Sequence, residues 1–400
     1  MKRIAAERLR VLDGTGIYPR SLHAEELSAL EHAEGEARTR AASAVVGMGG
    51  GPQAGARSAR ARSGGREAGW EDAWAEDRRL GRDEQGRLLL AMTDRDRALV
   101  SLLGEHGYLT TEDAQALLFQ SSRTAQSRLL RLRPPIVKRR RGVLEVRNHN
   151  GLGLLTRRTR SVPGPWRRLS AVYALRQKGA LVLAGLQDLD GAATQELVRR
   201  TANVVRYQAH LEHDLGAIGF FTGLVRASRG LPDQGLRSWL GEARMRQRYL
   251  ERGGRCAPDG WGRYLFRDRV VAFHLEWDCG SERLPVLSEK AAAYEDFYFD
   301  REGGERTHVL WVADWEPRER RLRQALGQVG PDSHYVQHWT TSAELLAERG
   351  HLGPLWSHLG GGERLALSQL AGRPAGDLEV EGCLDKPGWW RRVTGGDEGR

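Results

Sequence analysis

From Met92 the chain reads MTDRDRALVSLLGEHGYLTTEDAQALLFQSSRTAQSRLLRLRPPIVKRRRGVLEV, ending at Val146. Three helical segments and a basic hairpin can be read from it. Leu99, Leu102 and Leu103 recur on one face of a first helix that begins at Thr93 and stops in a turn between Gly104 and Gly107. Thr110 or Thr111 caps a second helix, with Glu112 and Asp113 in the first turn, where the helix dipole favours acids, and Ala114, Leu117 and Leu118 on the apolar side. Ser121 or Ser122 caps a third, which turns Ala125, Leu129 and Leu132 inward and leaves Arg123, Gln126 and Ser127 outward. Pro134 and Pro135 end it. Ile136 and Val137, then Val143, Leu144 and Val146, read as short strands flanking Lys138, Arg139, Arg140, Arg141 and Gly142.

That order is the pattern of a winged helix-turn-helix, expected over residues 92–185. The reading predicts duplex DNA as partner, with Arg123 and Gln126 reaching base edges and Ser127, Arg131, Lys138, Arg139, Arg140 and Arg141 completing the contact. Val172 to Leu175 reads as a further strand, and Arg157, Arg158, Arg160, Arg167 and Arg168 extend the positive surface. The plain alternative is a solvated basic loop on an ordinary helical domain.

Composition agrees with a polyanionic partner but does not by itself select one. The 400 residues carry a net charge of +10 with 40% hydrophobic content, enough for two or three cores. Lysine occurs only at Lys2, Lys138, Lys178, Lys290 and Lys386, so a GC-rich genome accounts for much of the arginine, and where arginines cluster is more informative than their number. Cys256, Cys279 and Cys383 show no CxxC spacing, which argues against a disulfide framework or a cysteine zinc site. The absence of a long apolar run or signal sequence predicts a cytoplasmic, DNA-associated protein with no membrane partner.

Residues 1–91 are expected to be a flexible or low-complexity extension, because the Gly/Ala/Arg-rich run from about residue 47 to 69 cannot build a core. Met92 is read as the true start or as the first residue of the ordered part. Residues 190–360 are expected to form a helical connector and an α/β domain, and residues 361–400 a flexible tail. In the connector, Leu211, Leu215, Ile218 and Val225 line the buried side of a helix that also bears His210, His213 and Asp214. The i, i+3 histidines suggest a metal site, although helix-surface histidines are more often simply polar.

In the α/β part, Val270 to Glu276 reads as a strand, with Asp278 two residues on and therefore on the same face as Glu276. A hairpin can bring Asp259 beside them. An acid after Pro258, followed by a strand bearing Glu, resembles the core of the PD-(D/E)xK nuclease superfamily, and carboxylate oxygens suit a hard cation such as Mg²⁺ or Mn²⁺ that also contacts phosphate. That resemblance implies Asp259, Glu276 and Asp278 as metal ligands, Lys290 as the cation near the attacking water, and Glu242 as an auxiliary acid. The superfamily's lysine is missing from position 278, where an acid stands. Otherwise Asp259 is a turn residue, and Glu276 and Asp278 end a strand or pair with arginines.

The stretches MTDRDRALVSLL, YLTTEDAQALLF, SSRTAQSRLLRL, PDGWG, FHLEWDCGSE, KAAAYEDF and VLWVADWEPRERRLRQAL together resemble the replication-relaxation family of bacterial plasmids and mobile elements, from about Met92 to about Leu359. The resemblance implies an α+β winged-helix domain followed by an α/β sandwich with a restriction-endonuclease-like core. It also implies an accessory DNA-binding role in plasmid or mobile-element replication or mobilisation, with replication or mobilisation proteins as further partners. Three readings stay open: that accessory factor, an Mg²⁺-dependent endonuclease or nickase, and a transcriptional repressor, which would need a homodimer to read two half-sites.

Overall fold

The computed structural model describes residues 80–374, apart from 141–142, 149, 163–167, 207–209, 232, 252, 256, 300–306, 330–335 and 371. Helix α1 (Arg82–Ala91) leads into three helices that each start on a capping hydroxyl. Thr93 caps α2 (Asp94–His106), Thr110 caps α3 (Thr111–Leu118) and Ser121 caps α4 (Ser122–Leu132), each accepting a backbone N–H that the helix itself leaves unsatisfied. Asp96 and Asp113 return the bond to the cap residue, completing two capping boxes. Asp96 is fully buried and also takes the guanidinium of Arg128, which ties α4 to the start of α2.

Pro134–Gly151 cluster apart from the rest of the described chain. Within that segment β2 (Ile136–Arg140) and β3 (Val143–Arg147) form an antiparallel hairpin in which Ile136 lies opposite Arg147, Lys138 opposite Glu145 and Arg140 opposite Val143. Asn148, in the left-handed region at φ 58°, donates its side-chain amide to the Pro134 carbonyl at 3.1 Å and so closes the base of the segment. Arg141, expected at the hairpin tip, lies outside the described residues.

The remainder carries two sheets. Strand β1 (Leu109–Thr110) pairs with β5 (Arg168–Leu175), which pairs in turn with β4 (Leu155–Val162). Helices α5 (Gln177–Leu186), α6 (Gly191–Arg206) and α7 (Leu211–Ala227) follow. The larger sheet uses β6 (Gln234–Gly241), β7 (Gly260–Phe266), β8 (Arg269–Asp278), β9 (Thr307–Ala313), β10 (Val336–Ser342) and β11 (Ser357–His358), in spatial order 11-10-9-8-7-6. Strands β8, β9 and β10 run parallel, joined by α9 (Leu284–Phe299) and α10 (Glu316–Leu326), while β6, β7 and β8 form an antiparallel meander with α8 (Glu242–Glu251) between β6 and β7. The period-two alternation of a strand sorts the two faces. On β9, Val309, Trp311 and Ala313 meet α8, α9 and α10, whereas Leu310 and Val312 join the cluster that contains Leu215 and Ile218 of α7.

The architecture is therefore α+β with mixed sheets. It differs from the sequence expectation in several places. Residues 82–91, expected within the flexible extension, are helix α1, whose Leu88 is buried in the core and whose Glu84 and Gln85 bond to Lys178 and to the Leu181 carbonyl of α5. Met92 is the C-cap of α1 and only 5% exposed, in the same core cluster as Leu88. The segment 361–374, expected within a flexible tail, buries Leu367 and Leu370 and ends in β12 (Arg373–Pro374) against β8. Its anchor is Arg364, which places both of its bonds to Glu319 at 2.9 Å. Strand β4 escapes the sequence reading because Arg157, Arg158 and Arg160 hide its alternation. One core cluster holds Leu99 and Leu117 together with Phe220 and Phe273, crossing the boundary expected between residues 185 and 190. Across it Thr222 donates to Asp113 at 2.6 Å and Arg229 donates to the Phe119 carbonyl at 2.9 Å, closing the C-terminal end of α3.

Candidate functional site

Alternation along β8 sends Phe273 and Leu275 to the α7 face and His274, Glu276 and Asp278 to the face covered by α9 and α10. Glu276 receives the ammonium of Lys290 and the hydroxyl of Tyr294, one turn apart on α9. Asp259 precedes β7 and is pinned by the meander: its N–H donates to the Leu275 carbonyl at 3.0 Å, and its carboxylate accepts from the Trp277 N–H at 2.7 Å. Lys290 stands 4.0 Å from that carboxylate, so one ammonium serves both acids.

From the opposite face α7 contributes His213. Its Nε2 lies 3.0 Å from Asp259 and its Nδ1 3.4 Å from Asp214. Gly216, one turn further along α7, makes this approach possible: a Cβ there would sit 2.2 Å from the Trp277 indole. Asp214, His213, Asp259, Lys290, Glu276 and Tyr294 thus form one continuous network passing through the carboxyl end of β8, where α/β sheets place ligands. A cavity of about 160 Å³ adjoins it, lined by His213, Asp214, Asp259, Glu242, Tyr108 and Trp239 among others.

The charges in this network are strongly perturbed. Burial raises the Glu276 carboxyl to about 8, with the Asp259 charge adding to it, against the pull of Lys290 and Tyr294. Burial also disfavours the charged forms of Asp259, Lys290 and His213, but their partners prevail. The Lys290 charge and the His213 bond hold Asp259 below its usual range, and Glu276 and Asp259 hold Lys290 above its own. The bonds to Asp214 and Asp259 bring His213 up to about 10. The cluster therefore holds a protonated histidine, a charged lysine, an ionised aspartate and a carboxyl that exchanges its proton near neutrality.

The sequence-predicted acids are only partly brought together. Asp259, Glu276 and Lys290 converge. Asp278 does not: Arg318 of α10 takes its carboxylate at 2.6 and 3.2 Å, and the Gly280 N–H donates to it at 2.8 Å. Glu276 and Asp278 do share a strand face, as periodicity predicts, but each position on that face meets a different helix. Glu242 reaches the cavity rim and pairs with Arg246 one turn along α8. His210 is the exposed N-cap of α7, so the two histidines do not act together. No group of three or more His, Cys, Asp or Glu side chains among the described residues is arranged to hold a metal ion. Lys290 already bridges the two acids, so the residues as seated do not fit Mg²⁺ or Mn²⁺.

On α4, Arg123, Gln126 and Ser127 are exposed, opposite buried Ala125, Leu129 and Leu132. Gln126 bonds to Ser122 at 3.3 Å. Arg131 is half-buried, with its Nε enclosed and lacking a bond. Lys138, Arg139 and Arg140 lie on β2.

A family model described as replication-relaxation matches residues 100–309, more than half of the chain. The chain belongs to the replication-relaxation family. The matched span of this replication-relaxation protein runs from within α2 into β9 and so contains α3, α4, the hairpin, α7 and every member of the Asp214 to Tyr294 network. Membership points to a role in the replication or relaxation of plasmids or mobile elements, with DNA or the replication machinery as partners. Comparisons with curated proteins and with solved structures returned no match. Among the described residues no helix is long and apolar enough to cross a membrane.

Sequence reasoning missed His213 as a partner of Asp259, Tyr294 as a ligand of Glu276, and Arg318 as the competitor for Asp278. The spacing of Lys290 and Tyr294, four apart on one helix face, was a usable signal for two groups meeting one acid. His213 and Arg318 come from helices distant in sequence, and nothing local announces them.

Proposed function

We propose that this replication-relaxation protein binds duplex DNA, with α4 as the recognition helix of a winged helix-turn-helix and the β2–β3 hairpin as its basic wing, and acts as an accessory factor in plasmid or mobile-element replication or mobilisation. The observation that carries this reading is the two-sided character of α4. Its inner face is fixed by Ala125, Leu129, Leu132 and the Arg128–Asp96 pair, while Ser122, Arg123, Gln126, Ser127 and Leu130 stand outward along its length. A recognition helix presents such residues to base edges: arginine to guanine, glutamine to adenine, and an apolar side chain such as Leu130 to a thymine methyl. The test is competition between duplexes. Gln126→Ala should change the order of preference among sites while leaving affinity for random duplex nearly unaltered; an equal loss on all duplexes would remove the reading role.

A second reading, a metal-dependent nuclease on a restriction-endonuclease-like core, draws on the convergence of Asp259, Glu276 and Lys290. It requires Lys290 to release Glu276 before a cation can enter. Mg²⁺-dependent nicking of supercoiled plasmid that disappears in Asp259→Ala would raise it above the first. A dimeric repressor would instead reveal itself by cooperative occupation of two half-sites.

A further inference from the structure

Basic residues are dense around the hairpin and again over residues 237–269, where nine arginines stand against four carboxylates, and one of the four, Asp259, is committed to Lys290 and His213. The fold gathers much of this second stretch on one feature. Helix α8 turns Met245 and Tyr249 into the core and leaves Arg244 and Arg246 outward, with 51% and 62% of their side chains exposed. Arg248 of α8 and Arg263 of β7 place their guanidinium groups 5.9 and 5.0 Å from the ring of Trp261, one from the helix and one from the strand beneath it. Stacking on an indole holds a guanidinium in a fixed orientation without cancelling its charge. Arg255, beyond the helix, is exposed as well.

We infer that the α8–β7 surface is a second DNA contact, one that grips the phosphate backbone and reads no bases. This rests on the proposed duplex binding and adds to it a site outside α4 and the wing. Glu242 pairs with Arg246, Arg244 lies 3.7 Å from Glu105, and Glu251 accepts from Gln247, while arginines outnumber carboxylates over the stretch. An exposed pair such as Arg246–Glu242 is weak and exchanges readily for phosphate. Helix α8 also packs against α2, the helix to which Arg128 of α4 is tied. Guanidinium groups set on phosphates supply affinity and register, not sequence choice.

The experiment compares wild type with Arg244→Gln/Arg246→Gln/Arg248→Gln on one duplex across a salt series, using fluorescence anisotropy. Glutamine keeps the helix propensity and removes the charge. For every phosphate no longer neutralised, the slope of log affinity against log salt should fall by about 0.9, with an equal effect on specific and random duplex. A second variant, Arg244→Lys/Arg246→Lys/Arg248→Lys, should keep most of the slope, which a merely structural defect would not. If wild type binds duplex and the glutamine variant shows the same slope, the second contact is overturned while duplex binding stands. If wild type shows no salt-dependent affinity for any duplex, both fail together.

Discussion

Lys290→Met leaves two buried carboxylates without their shared cation, and the structure fixes how that should register. Glu276 and Asp259 have 3% and 8% of their side chains exposed, so water cannot replace the ammonium. Breaking a buried pair by removing one partner costs about 3–5 kcal/mol. Two features move the expected loss toward the lower end at neutral pH. Asp259 keeps His213, and Glu276 can take up a proton, its carboxyl already lying near 8 against a value of 4.5 for an ordinary glutamate. Because the folded-state value is raised, this group contributes stability that is fully present below about 4.5 and is lost as pH rises through about 8. Without Lys290 the folded-state value climbs further. The variant should therefore go on losing stability above pH 8 where wild type has levelled, and the gap should widen by about 1.4 kcal/mol per pH unit. Urea unfolding at pH 6 and pH 9 measures it. Adding Glu276→Gln to Lys290→Met should recover most of the loss, since removing both partners avoids the lone buried charge. A loss that is the same at both pH values and is not recovered would refute the linkage of the two residues.

Three further outcomes follow from the same structure. His213 is raised to about 10, so its contribution is complete below 6.5 and disappears as pH rises through 10; His213→Gln should flatten the thermal-unfolding profile across that window. A chain starting at Met92 should be less stable to urea than one starting at Leu80 by roughly 2–3 kcal/mol, the burial of Leu88 being the main contribution and the half-exposed Glu84–Lys178 pair a small one. Arg364→Ala removes the cation from the fully buried Glu319, which keeps the Thr340 hydroxyl at 3.0 Å, and should cost about 3–5 kcal/mol, with Glu319→Gln recovering part of it.

Much of the helical region was legible because its signals are local. Thr93, Thr110 and Ser121 announce three helix starts, Pro134 and Pro135 a stop, and leucines at helical spacing mark the buried faces. Strand β8 was legible from its apolar run. Strand β4 was not, since Arg157, Arg158 and Arg160 break the apolar alternation in its sequence, and β6 was missed because its bulge at Arg237 shifts the register midway. The site was half legible. Strand periodicity gives Glu276 and Asp278 the same face, but only the placement of α9 and α10 decides that one meets Lys290 and the other Arg318. His213 joins through a helix whose approach depends on Gly216 lying under Trp277, a tertiary fit with no local signature.

The central claim is that α4 presents its outward face to DNA, and duplex affinity of the Arg123→Ala/Gln126→Ala protein tests it most directly. Both side chains are exposed and lie outside the core, so the variant should unfold at the wild-type temperature. Measured by anisotropy on a duplex selected by the wild-type protein, its affinity should fall about 10-fold or more, since a bidentate bond to a base edge is worth about 1–3 kcal/mol. Affinity for random duplex should fall much less. Unchanged affinity for the selected duplex, in a protein that is still folded, would contradict the account.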